Sequence, residues 1–111
     1  MHEYSIIQSL VDSVVAAVPR SAAVHRIDVR IGELAGVDCD LLATAYDVFR
    51  TGTICERASM QIDRVPAVWS CPDCGTEIAR GSALRCPACG QPARLASGDE
   101  IILQRIELEV S

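Results

Sequence analysis

The stretch CPDCGTEIARGSALRCPAC (71–89) lies between two amphipathic strand sequences, SMQIDRVP (59–66) and IILQRIELEV (101–110). This order decides the architecture, because it makes the cysteine segment an insertion within a fold. Met60 and Ile62 alternate with Ser59, Gln61 and Asp63, the period of a half-buried strand. Ile102, Ile106, Leu108 and Val110 are assigned to one face of the last strand, and Arg105, Glu107 and Glu109 to the other. Upstream, Ile27, Val29 and Ile31 alternate with Arg26, Asp28 and Arg30 in a strand that Gly32 ends.

Two helices complete the pattern. Ile6, Ile7, Leu10, Val11, Val14, Val15 and Val18 recur at helical spacing, and Pro19 stops the helix. Asp38 or Asp40 can cap a second helix, since a short carboxylate accepts from the orphan N–H groups of the first turn. Leu41, Leu42, Ala45, Val48 and Phe49 form its expected buried stripe, and Gly52 closes it. The order helix, strand, helix, strand, cysteine segment, strand predicts an α/β chain of the α+β, two-layer kind. It has a three-stranded sheet, two helices and an inserted zinc-ribbon-like module.

The inserted segment carries the strongest chemical signal. Each CPxCG unit is a tight turn, with Pro fixing φ after the first cysteine and Gly free to turn left-handed after the second. Two such turns bring Cys71, Cys74, Cys86 and Cys89 to the corners of a tetrahedron, which suits Zn²⁺. Four protein ligands leave no open position, so this zinc is structural and activates no water. Two disulfides or a thiol redox switch are the competing readings. The spacing, and the absence of an export signal, favour metal in a reducing cytoplasm. Cys39 and Cys55 lack such partners and read as small buried hydrophobes.

Composition excludes several classes. The 111 residues are half hydrophobic, carry a formal charge of -5, and have only 4% aromatics. Four thiolates and one Zn²⁺ take the charge to about -7. An acidic chain binds nucleic acid poorly, because that affinity comes largely from neutralising phosphates. This argues against the alternative function, a zinc-ribbon adaptor for nucleic acid or transcription machinery. The longest apolar stretch, 6–18, is too short and too interrupted to span a membrane. There is no phosphate-binding loop, and no enzymatic activity is expected.

Met1-His2-Glu3 is the other unusual feature. An α-amine, the His2 amide nitrogen and the His2 imidazole together can chelate an ion that favours planar nitrogen ligation, such as Ni²⁺ or Cu²⁺. The alternative is a solvated, idle terminus. Amine and imidazole must both lose a proton to bind, so such a site weakens below about pH 7.

MHEYSIIQSLVDSV (1–14), VRIGELAGVD (29–38), LLATAYDVF (41–49) and the double CPxCG together resemble the HypA/HybF family of hydrogenase nickel-incorporation proteins. The resemblance implies a cytoplasmic nickel metallochaperone. It would bind Ni²⁺ as cargo through Met1 and His2, and deliver it to a [NiFe]-hydrogenase large-subunit precursor with the GTPase HypB. Glu3 and Asp38 match acidic positions near the nickel site of that family, although Asp38 serves equally as a helix cap. Residues 1–66 and 98–111 are then the nickel-binding α/β domain, and 67–97 the zinc-binding module. No nucleic acid and no membrane insertion are expected, and a homodimer is compatible with the sequence.

Overall fold

The computed structural model describes residues 2–79 and 83–109, with the side chain of His2 excepted. Helix α1 (His2–Ala17) leads to strand β1 (Val24–Gly32), helix α2 (Cys39–Phe49) and strand β2 (Ser59–Val65). Three short strands follow, β3 (Val68–Ser70), β4 (Glu77–Ile78) and β5 (Arg94–Ser97), before the long strand β6 (Ile101–Leu108). They form two sheets, ordered β2-β1-β6 and β4-β3-β5. The expected three-stranded sheet with two helices and an inserted ribbon is therefore observed.

Strand β1 is central in the first sheet, and its composition explains why. Ile27, Val29 and Ile31 are fully or almost fully buried. It pairs parallel with β2, in register from Arg26 opposite Ser59 to Gly32 opposite Val65, with α2 as the crossover. On its other edge it pairs antiparallel with β6. Ile7, Leu10, Val11 and Val14 of α1 and Leu42 and Tyr46 of α2 complete a single core with these strands. The charged side of β1 is covered in part by one arginine of its own and one of β6. Arg26 Nε lies 2.7 Å from Asp28 Oδ1 and Arg105 Nε 3.7 Å from Asp28 Oδ2. Asp28 is thus only 9% exposed, yet compensated by charge.

Two expected faces are corrected. In β6 the inward residues are Leu103 and Ile106, whereas Ile102 and Leu108 are 41% and 40% exposed. For Ile102 the cause is a bulge: Asp28 pairs with Arg105 but Val29 pairs with Leu103, so Gln104 is the extra residue and the alternation changes phase, while a second register shift, between Val24 and Arg26, falls opposite Leu108. Val110 lies outside the described residues. In α2 the buried stripe is Leu42 and Tyr46, with Ala45 and Phe49 partly buried against the core, while Leu41 and Val48 are more than half exposed. Val15 of α1 likewise faces outward. Each helix buries only the stripe that meets the sheet and its neighbouring helix, which is narrower than its apolar residues offer.

Tyr46 earns its burial through its hydroxyl, which donates to Ala58 O at 2.7 Å. Burial pushes its pKa well above the ordinary phenol value. Arg50 Nη1 donates to the same carbonyl at 2.9 Å, and its guanidinium sits 5.5 Å from the Tyr46 ring centre. Tyr46→Phe should therefore cost only about 1 kcal/mol, because Arg50 still satisfies the carbonyl. Urea unfolding checks this, and a loss several times larger would show that the hydroxyl anchors the 50–58 loop by itself.

Candidate metal centres

The four cysteines of the insertion converge. Their sulfurs all lie within 4.8 Å of one another, with Cys71 and Cys86 buried and Cys74 and Cys89 exposed. Two matching knuckles build the site. Cys71 N–H donates to Thr76 O and Gly75 N–H donates back to Cys71 O, both at 2.9 Å. Cys86 N–H donates to Gln91 O at 2.9 Å and Gly90 N–H to Cys86 O at 2.8 Å. Gly75 and Gly90 hold φ of 72° and 69°, the left-handed turn expected after each second cysteine.

The donor set fits zinc. Cys74 Sγ and Cys86 Sγ are 3.7 Å apart. A tetrahedron with Zn–S bonds of about 2.3 Å has edges of roughly 3.8 Å. Among themselves the thiols divide unequally. Hydrogen bonds from the Thr76 hydroxyl and backbone, and from neighbouring thiols, bring Cys74 down to about 6. The surrounding sulfurs, Cys74 first among them, push Cys89 up to about 12. Sulfurs at this spacing cannot all ionise together, and a divalent cation removes the conflict. Thr76, with its hydroxyl 3.2 Å from Cys74 Sγ, is a site residue that the cysteine spacing alone did not single out.

The second group of expected residues lies at the other end of the chain. Met1 and the His2 side chain lie outside the described residues. Glu3 and Asp38, 35 positions apart, do meet: Asp38 N–H donates to Glu3 Oε2 at 3.3 Å. The backbone N–H groups of Glu3 and Asp38 hold the Glu3 carboxyl below the usual carboxylate value. Asp38 is the N-cap of α2, with Oδ1 accepting from Asp40 N–H at 3.0 Å and Leu41 N–H at 3.1 Å. Its carboxylate is thus engaged as a cap, beside the start of α1. Cys55 is fully buried, with its thiol pushed up by burial, and Cys39 is partly buried against the core.

A helix-on-sheet body with a closed four-thiolate insert is the architecture of an α+β protein whose zinc site shapes the molecule and leaves no position open for chemistry. A family model described as "Hydrogenase/urease nickel incorporation, metallochaperone, hypA" matches residues 1–108, and the chain belongs to this family. The hydrogenase maturation factor HypA of Shewanella baltica (strain OS223) is 34% identical over 113 residues, covering 98% of this chain and 97% of its own. That of Aquifex aeolicus (strain VF5) is 35% identical over 114 residues, with 99% of each chain covered. A solution structure of a HypA protein superposes with a TM-score of 0.77 at 26% identity, over 98% of this chain and 97% of that one. The solution structure of the Ni metallochaperone HypA from Helicobacter pylori shares the fold, with a TM-score of 0.67 at 24% identity over 98% of both chains.

The family binds nickel, and it is one of metallochaperones rather than catalytic enzymes. The four-cysteine cluster fits a structural zinc site. Among the described residues no helix is long and apolar enough to cross a membrane.

Proposed function

We propose that this chain carries Ni²⁺ at its amino terminus and delivers it to the large-subunit precursor of a [NiFe]-hydrogenase in the cytoplasm, working with the GTPase HypB. The ligands are the Met1 amine, the His2 amide nitrogen and the His2 imidazole. Glu3 and Asp38 complete the nickel site as its acidic residues. Cys71, Cys74, Cys86 and Cys89 hold zinc in the separate module 67–97, and residues 1–66 with 98–111 form the nickel-binding domain. The observation that carries this reading is the hydrogen bond from Asp38 N–H to Glu3 Oε2, which seats the first turn of α1 against the start of α2. It holds the Glu3 carboxylate beside the cap of α2, and an oxygen acceptor one residue from His2 can orient an imidazole.

Exposed, few-ligand binding suits delivery, because a closed cage would trap the ion. Copper wins the same nitrogen ligands by intrinsic affinity, so selectivity rests on partners and metal supply. The test compares nickel binding by the native chain, by His2→Ala and by a chain extended before Met1. Loss of a neighbour that merely orients a ligand costs about 10–100-fold, so loss of the imidazole itself should cost at least that much. The extension keeps every side chain and removes only the α-amine from position 1. Native affinity in the extended chain would sink the amino-terminal chelate while leaving the family assignment intact.

A further inference from the structure

The module is joined to the body where three backbone segments cross: the end of β1, the entry to β3 and the return to β6. Only glycine permits the crossing. A Cβ on Gly32 would land on the Gly98 carbonyl. Gly98 has φ of +108°, and a Cβ there would lie 2.5 Å from Ala67 Cα and 2.8 Å from Pro66 O. Four hydrogen bonds tie the same segments. Gly32 N–H donates to Glu100 O at 2.8 Å, Glu33 N–H to Val65 O at 2.8 Å, and Leu34 N–H to Gly98 O at 2.7 Å. The fourth uses a side chain: Ala67 N–H donates to Glu33 Oε1 at 2.8 Å.

Both passages of the chain are buried at this joint, at Ala67 and at Gly98. A flexible tether would instead leave its backbone solvated. Among the described residues the two sheets share no substantial strand-on-strand packing, so their relative orientation rests on the joint. We propose that the turn from Gly32 to Leu34 is a clasp that carries the zinc module in one orientation, with Glu33 as its positioning residue. The Glu33 carboxylate fastens the entry strand by accepting from Ala67, while Leu34 fastens the exit strand by donating to Gly98. A partner that touched both the body and the module would then meet a preformed surface, and would not have to pay for ordering it.

Amide residual dipolar couplings in the weakly aligned, zinc-loaded full chain test this without reference to nickel. In the native chain one alignment tensor should fit the amides of β1, β2 and β6 together with those of β3 and β5. Glu33→Ala should require a second tensor, with shrunken couplings confined to the module. Glu33→Gln keeps an acceptor oxygen for Ala67 N–H and should restore the single tensor, a rescue that a purely charge-based role would not give. Gly98→Ala reaches the same joint from the exit strand and should also need two tensors. A native chain that already needs two tensors would overturn the proposal. So would a single tensor in both Glu33→Ala and Gly98→Ala, or failure of Glu33→Gln to rescue.

Discussion

Removing zinc from the native chain should unfold residues 67–97 and leave the helix-and-sheet body folded. The module has almost nothing else to hold it. Its buried cluster is Cys71, Ile78 and Cys86, with Trp69 and Ala93 packed against it. Two of those three buried residues are metal ligands. Its strands are short: β3 has three residues, β4 two and β5 four. So small a core cannot offset the backbone entropy of ordering a segment of this length. Structural zinc supplies about 10–16 kcal/mol in comparable small modules. Trp69 reports on the outcome, because it is the single tryptophan of the chain. Its emission should shift to the red and its near-ultraviolet dichroism vanish on chelation, while the far-ultraviolet signal of α1 and α2 stays. Cys71→Ser or Cys86→Ser should do the same without a chelator. Unchanged Trp69 fluorescence after complete metal removal would mean that the module folds without its ion.

The reciprocal experiment targets the body. Ile27→Ala should destabilise it by about 2–5 kcal/mol, the usual cost of emptying a buried aliphatic site. Ile27 is fully buried and pairs with Met60 on one side and Ile106 on the other. Its loss therefore opens a cavity at the centre of all three strands. For a body of this size, the melting temperature of the helical signal should fall by at least about 8 °C. Zinc affinity and Trp69 emission at low temperature should stay native, because the module cluster contains none of the same residues. A parallel loss of zinc would show that the module depends on the body for its own fold. Together the two experiments test whether 67–97 is a separate stabilising unit.

The strongest periodic signals in the chain translated directly into structure. The run from Ile7 to Val14 forms the inner face of α1, and Ile27, Val29 and Ile31 form the floor beneath it. The CPxCG pairs implied their own turns, because Pro and Gly restrict the backbone locally and the ligand spacing follows. What the sequence withheld was non-local. The bulge at Gln104 depends on how β6 must register against β1, and no local residue announces it. Tyr46 lies among apolar neighbours, and its burial depends on a carbonyl twelve residues away. The contact of Asp38 with Glu3 is likewise a product of the tertiary fold. Resemblance pointed to both residues, but local chemistry pointed only to a helix cap.

The placement of the insertion between β2 and β6 also has a consequence for synthesis on the ribosome. Strand β1 gains its parallel neighbour as soon as Val65 has emerged, but its other neighbour begins only at Ile101. The ribosome must add the intervening module first, which takes roughly 2–7 s at typical elongation rates. During that interval the strand destined for deepest burial has one bare edge, and the body cannot close until the cysteines have passed. The length of the insertion therefore sets how long the body waits for its third strand, whatever the state of the zinc site.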